Sequence, residues 1–131
     1  MLVLDTHAFV WWLGEPRRLS RKAARALAAC RAPGSVRVSS ASVLEVVVLA
    51  GRGRLRLACD ISAWLADARR VPQLAFEPIS AEIAALAGGY GETVPADPMD
   101  RLILATAAAV GAPLVTADER LAAAGFVRTV W

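Results

Sequence analysis

Five acidic side chains occupy positions from which they could share one pocket and hold a metal ion. These residues are Asp5, Glu45, Asp97, Asp100 and Asp118. Carboxylates that crowd together repel one another unless they are protonated or bind a cation. Oxygen ligands without any Cys or His favour Mg²⁺ or Mn²⁺. An ion of this kind activates water and stabilises the charge that develops on a phosphate.

Asp5 directly follows the first apolar run of the chain, Leu2–Leu4. Three apolar residues without alternation are typical of a strand that is buried on both faces, as in a parallel sheet. Open α/β sheets bind their ligands at the carboxyl ends of such strands. Asp also caps helices, and a helix over residues 8–13 is predicted to follow at once. The position of Asp5 therefore fits either a ligand or a helix cap.

Three more of the acids repeat these two situations. Asp118 follows a buried strand predicted over residues 112–116, as Asp5 follows the first strand. Asp97 is a predicted N-cap with Pro98 at the first helical position. Asp100 then lies in the first turn, where the helix dipole favours a carboxylate.

Glu45 is the only charged residue in an apolar stretch that predicts a helix from Ser40 or Ser42 through Ala50. Ser42 and Glu45 fit the capping-box pattern S-x-x-E, in which both side chains bond the helix start. The alternative is that Glu45 points inward at a cation shared with the other acids.

Strand and helix signals alternate along the whole chain, which predicts one α/β domain over residues 1–131 with a parallel sheet. The predicted strands cover residues 2–4, 36–39, 74–79, 112–116 and 126–130. The predicted helices cover residues 8–13, 21–31, a segment from 40 or 42 to 50, 60–70, 81–87, a segment from 98 onward, and 121–124.

Composition narrows the classes of protein further. Hydrophobic residues make up 56% of the chain, but no apolar run approaches the roughly 20 residues of a membrane span. With no signal peptide in view, we expect a cytoplasmic protein in which Cys30 and Cys59 are reduced. The net charge of +3 permits a nucleic acid as partner without requiring one.

The helix predicted over residues 8–13 is apolar on every side and contains Phe9, Trp11 and Trp12. Such a helix must be covered on both sides. One face can pack on the sheet, and we expect the other to meet a protein partner, although loops could cover it instead.

Taken in order, the motifs resemble the PIN-domain family, and more narrowly the VapC-type toxins of bacterial toxin–antitoxin pairs. The motifs are D-T-H after the first strand, S-x-x-E, D-P-x-D-R-L-I-L-A-x-A and T-x-D-E-R-L, and they span the chain. The resemblance implies a three-layer α/β/α fold with about five mainly parallel strands, and a ribonuclease in which a metal-activated water cuts RNA.

By motif, the resemblance assigns the Mg²⁺ (or Mn²⁺) ligands to Asp5, Glu45, Asp100 and Asp118. Thr6 and Thr116 match hydroxyl positions that orient the ion or the water. Asp97 belongs to a longer form of the motif, with a ligand role less firmly implied. Ala117 departs from the family, because many relatives carry a basic residue there. For His7, the only histidine, a structural role is favoured over that of a base.

The resemblance also implies partners: an antitoxin whose tail crosses the Phe9, Trp11 and Trp12 surface and blocks the pocket, and a second copy of the chain in a homodimer. Two other functions stay open at this stage. One is a catalytically silent interaction module on the same fold. The other is a phosphotransferase that uses Asp5, although His7 stands where such enzymes place a second acid.

Overall fold

A five-stranded parallel sheet forms the centre of the protein in a computed structural model that describes residues 1–131. The strand order is β3-β2-β1-β4-β5, and every neighbouring pair is parallel. The strands are β1 (Leu2–Leu4), β2 (Val36–Ser39), β3 (Leu74–Glu77), β4 (Leu114–Val115) and β5 (Thr129–Val130). The first strand is therefore central, and the predicted α/β class is confirmed.

Seven α-helices connect and cover these strands. They are α1 (Thr6–Gly14), α2 (Arg21–Ala29), α3 (Ser40–Gly51), α4 (Ile61–Arg69), α5 (Ala81–Gly89), α6 (Pro98–Val110) and α7 (Glu119–Ala123), with a short 3₁₀ turn at Pro16–Arg18. None of them combines the length and the apolar character that crossing a membrane requires.

Alternating side chains of β1 divide the core into two layers. Leu2 and Leu4 pack with apolar residues of α1, α2 and α4, whereas Val3 packs with those of α5, α6 and α7. Successive residues of a strand point to opposite faces, so each face of the sheet carries its own layer of helices. This arrangement is the predicted three-layer α/β/α fold.

Two helices begin earlier than predicted, and the reason is the same in both. Asp5 caps α1, so the helix starts at Thr6, and Asp118 caps α7, so that helix starts at Glu119. Helix α5 is longer than the predicted helix over residues 81–87, because Gly88 and Gly89 form its last positions. The strands β4 and β5 are also shorter than predicted, with two residues each.

Candidate active site

The structure brings all five predicted acids to the wall of one cavity of about 210 Å³. The cavity lies at the carboxyl ends of β1 and β4, where an open α/β sheet is expected to bind ligands. Besides the acids, it is lined by Thr6, His7, Ile103, Arg120 and Leu121. We call it the acidic pocket.

Asp5 is the most buried of the acids, with 7% of its surface exposed. It caps α1, and its Oδ1 accepts a hydrogen bond of 2.7 Å from the backbone N–H of Ala8. Burial raises the pKa of this carboxyl, while hydrogen bonds from Thr116 and Ala8 work in the opposite direction. Asp5 is thus both the helix cap and a lining residue of the pocket, so the two predicted roles coexist.

Glu45 reaches the pocket from α3 and is fixed there by Thr6, whose Oγ1 donates a hydrogen bond of 2.7 Å to Glu45 Oε2. The helix is capped by Ser39 and begins at Ser40, so Ser42 lies inside it. The capping-box interpretation is therefore wrong. The Oγ of Ser42 is buried without a hydrogen-bond partner, and Glu45 is left to face the other acids.

Asp97 and Asp100 open α6 and have different tasks. Asp97 is the N-cap, and its Oδ1 accepts from the backbone N–H groups of Met99 (2.8 Å) and Asp100 (3.2 Å). The predicted cap with Pro98 at the first helical position is confirmed. The side chain of Asp100 accepts no hydrogen bond and is 20% exposed. Burial, followed by repulsion from neighbouring carboxylates, raises its pKa to about 6.

Asp118 is held by Arg120, a residue to which the sequence analysis assigned no role. The guanidinium donates from Nη2 to Asp118 Oδ2 (2.7 Å) and from Nε to Oδ1 (3.1 Å). The same Nη2 lies 3.8 Å from Asp100 Oδ2. The hydrogen bond from Arg120 lowers the pKa of Asp118 below its usual value. The signal was available, since Arg120 stands in the T-x-D-E-R-L motif two residues after the acid.

A second unassigned arginine holds the loop that leads into α6. Arg101 donates hydrogen bonds of 2.6 to 3.3 Å to four backbone carbonyls between residues 90 and 95. An arginine can satisfy several acceptors at once because its fork carries five N–H donors. These bonds fix the segment before Asp97 and thereby the start of the helix that carries Asp100.

The donor set of the acidic pocket fits a hard divalent cation. Five carboxylates face one arginine and one histidine in a single cavity, and burial followed by repulsion from the other acids raises the pKa of Asp100. Carboxylate oxygens are the ligands of Mg²⁺ and Mn²⁺. In this conformation no three of the side chains form a ready-made metal-ligand group, so closure on an ion requires side-chain movement.

The predicted partner surface on α1 needs a correction. Phe9 is fully buried and packs edge-on against Trp64 and Phe76, so its assignment to that surface is wrong. Whether a side chain of α1 is exposed depends on the face of the helix on which it lies. Trp11 and Trp12 are both half-buried, with Trp12 packed against the core layer. Beside α1, an apolar cavity of about 400 Å³ runs along Val10, Leu13 and Trp64.

A parallel sheet with an acidic pocket at the carboxyl ends of its strands is the arrangement expected of a PIN domain, and comparison with known families gives the same result. The chain matches the PIN domain over residues 2–127 and belongs to that family. It is 37% identical to Ribonuclease VapC22 of Mycobacterium tuberculosis over 133 aligned positions, which cover 99% of this chain and 98% of the relative.

Solved structures show the same fold at lower sequence identity. VapBC2 from Rickettsia felis, bound to a DNA fragment from its promoter, has a TM-score of 0.69 at 16% identity, covering 98% of this chain and 96% of that one. VapC20 of Mycobacterium tuberculosis, a toxin that cleaves the sarcin–ricin loop, has a TM-score of 0.66 at 22% identity, with 97% of each chain covered. FitAcB from Neisseria gonorrhoeae has a TM-score of 0.65 at 22% identity, covering 98% and 96%.

Proposed function

We propose that this protein is a metal-dependent endoribonuclease and the toxin of a VapBC-type toxin–antitoxin pair. The observation that carries the proposal is the convergence of five carboxylates in one pocket at the carboxyl ends of parallel strands. The support for RNA as substrate is the 37% identity to a relative named as a ribonuclease. The net charge of +3 is compatible with an anionic substrate.

Asp5, Glu45, Asp100 and Asp118 are the residues that would hold Mg²⁺ or Mn²⁺. When bound, such an ion supplies an activated water and positive charge toward a phosphodiester. One carboxylate oxygen of Asp97 accepts the hydrogen bonds that cap α6. We therefore propose that Asp97 positions this helix and does not bind the metal ion.

Two threonines orient the acids. The hydroxyl of Thr6 holds Glu45 by direct donation. The Oγ1 of Thr116 accepts from the backbone N–H of Asp118 at 3.0 Å and its hydroxyl stabilises ionised Asp5. Both threonines are buried, so water does not compete for these hydrogen bonds. This is how a metal-binding group is kept in place by its hydrogen-bonded neighbours.

We propose that the antitoxin covers α1 at Trp11 and Trp12. The support for this site is that both indoles remain partly exposed; the apolar cavity beside the helix is lined by Val10 and Leu13 and not by the two tryptophans. Trp11→Asp or Trp12→Asp should weaken the complex while circular dichroism shows a folded toxin. Normal binding of the antitoxin by both variants would place the surface elsewhere.

We also propose that the toxin forms a homodimer. Helix α3 exposes Leu44, Val47 and Val48, with 53%, 41% and 37% of their surfaces in solvent. Apolar residues grouped on one exposed helix face are typical of a protein interface. Leu44→Arg should shift the mass measured by light scattering from dimer to monomer. An unchanged dimer mass would exclude this face as the interface.

The activity is tested with purified toxin freed of its antitoxin and incubated with labelled RNA. Cleavage should appear with Mg²⁺ or Mn²⁺ and stop in EDTA. Cleavage that persists in EDTA would refute the metal-dependent mechanism, and no cleavage with any divalent ion would favour a silent interaction module. Trapping by fluoroberyllate, a phosphoryl analogue, would instead indicate the phosphotransferase.

A further inference from the structure

A row of three aromatic rings leads away from the acidic pocket. His7 lines the pocket, and its ring centroid lies 5.7 Å from that of Trp11. The Trp11 ring in turn lies 5.7 Å from that of Trp131, which directly follows β5. His7 and Trp11 are four residues apart on α1, a spacing that places them on one face of the helix. We call His7, Trp11 and Trp131 the aromatic row.

The aromatic row is not part of the hydrophobic core. None of its rings belongs to either core layer, whereas Phe9 and Trp12 of the same helix do pack there. His7 is exposed, Trp131 is 37% exposed and Trp11 is half-buried. The planes are tilted by 47° and 48°, so the rings do not cover one another. Covering such exposed ring surface with a flat apolar group is favourable, because it removes apolar area from water.

A cation accompanies the row. The guanidinium of Arg18 lies 4.6 Å from the centroid of the Trp11 ring. Its side chain is 56% exposed, and its ion pair with Glu15 is long, at 3.8 Å. An arginine held this loosely is free to contact a phosphate, for which its planar fork is well suited. Rings for bases and a guanidinium for the backbone are the two elements of a nucleotide-binding surface.

Resting on the proposed ribonuclease function, we propose that the aromatic row binds unpaired bases of the RNA next to the phosphodiester in the acidic pocket, with Arg18 on the RNA backbone. Apart from a bound ion, the five acids repel a polyanion, so further attraction for the RNA has to come from groups beside the pocket. Stacking accepts any base but requires that it be unpaired. The row therefore selects single-stranded RNA over a duplex, and an antitoxin over Trp11 would compete with the substrate.

The proposal is tested by steady-state cleavage of a short labelled single-stranded RNA in Mn²⁺. Trp11→Ala and Trp131→Ala should each raise KM by about tenfold, the loss expected for one stacked base, with kcat nearly unchanged. Trp11→Phe and Trp131→Phe should restore most of the KM. The control is Phe126→Ala, because Phe126 is also an exposed ring against a second ring, Tyr90, but does not line the acidic pocket.

A second measurement separates this proposal from the ribonuclease function itself. Fluorescence anisotropy of the same RNA is recorded with the Asp5→Asn variant, in which we expect no cleavage, with and without each Trp→Ala change. Weaker RNA binding in the Trp variants supports the row whether or not the wild type cleaves. Unchanged KM and unchanged RNA binding in folded Trp11→Ala and Trp131→Ala would overturn it and leave the face to a protein. Equal weakening by Phe126→Ala would overturn it too.

Discussion

On the two sides of the acidic pocket, the pKa values of the carboxyl groups are shifted in opposite directions. On the strand side, Asp5 is buried at the end of β1 and its pKa is raised by that burial. On the α7 side, Asp118 is paired with Arg120 and its pKa is lowered. Asp100 lies 3.8 Å from the same arginine, yet its pKa is raised to about 6, first by burial and then by the neighbouring acids. The comparison teaches that the one arginine of the pocket pairs with the α7 side, whereas no arginine or lysine pairs with Asp5 on the strand side.

Removing the charge on the strand side should have the largest effect. Asp5→Asn should abolish RNA cleavage and Mn²⁺ binding, because the most buried carboxylate is lost. Asn caps helices about as well as Asp, so the melting temperature should change little. Cleavage assays and calorimetric Mn²⁺ titration measure the two losses. Retained cleavage in this variant would show that the strand side is not the catalytic side.

Asp100→Asn should also remove cleavage, and it should weaken Mn²⁺ binding without unfolding the protein. The side chain accepts no hydrogen bond, and in the metal-free protein its charge is disfavoured by burial and by the neighbouring acids. The metal-free melting temperature at pH 7 should therefore stay equal or rise. A clear drop in melting temperature would contradict the absence of a structural role for this carboxylate.

Because the pKa of Asp100 is raised, we expect both the stability of the metal-free protein and its affinity for Mn²⁺ to depend on pH. The carboxyl has a usual pKa of 3.8 and a folded-state pKa of about 6. Its ionisation therefore opposes folding progressively between those values, so metal-free stability should fall as the pH rises through this window. Mn²⁺ needs the ionised form, so its affinity should fall by up to about tenfold per unit below pH 6. Both slopes should become clearly shallower in Asp100→Asn, with the remainder carried by Asp5, whose pKa is also raised.

Arg120→Gln should strengthen Mn²⁺ binding several-fold, because the guanidinium that occupies Asp118 no longer competes with the ion. Arg128→Gln is a matched control, since it removes the same charge from an exposed arginine outside the pocket. Titration calorimetry compares the two variants. Equal affinities in Arg120→Gln, Arg128→Gln and the wild type would show that the α7 side does not bind the metal.

The smallest effect is expected at Asp97. Asp97→Asn keeps the cap and should retain Mn²⁺ affinity within about twofold, whereas Asp97→Ala should cost about 0.5–2 kcal/mol of stability through loss of the N-cap. Thermal melts and Mn²⁺ titrations separate these outcomes. If Asp97→Asn loses the metal as fully as Asp100→Asn, Asp97 is a direct ligand.

Much of the fold could be predicted because local patterns and tertiary structure agree here. The unbroken apolar run Leu2–Leu4 predicts a central strand, and Asp97 with Pro98 predicts the start of α6; both predictions are confirmed. What the patterns could not reveal is which face of an entirely apolar helix is buried. Phe9 and Trp11 differ by two positions on α1, which places them on different sides of the helix.

The acids of the site could be predicted from their positions, whereas for the arginines the sequence offered a residue, Arg120 in its motif, but not the direction of its side chain. Acids that follow strands must meet at one edge of a parallel sheet, so their positions follow from topology. The position of the Arg120 side chain depends on rotamers and on the short α7, which a linear motif does not specify. Arg101 was missed for the same reason, since its four acceptors are backbone carbonyls of a loop.

The central claim is that the carboxylates on both sides of the pocket hold one metal centre. The most direct test is a crystal structure of the antitoxin-free protein soaked with Mn²⁺, with anomalous scattering recorded to locate the ion. We predict an anomalous peak within about 2.0–2.3 Å of carboxylate oxygens from Asp5 and from at least one of Asp100 and Asp118. A fully occupied Mn²⁺ outside the acidic pocket, or a pocket without any peak at saturating Mn²⁺, would contradict the account.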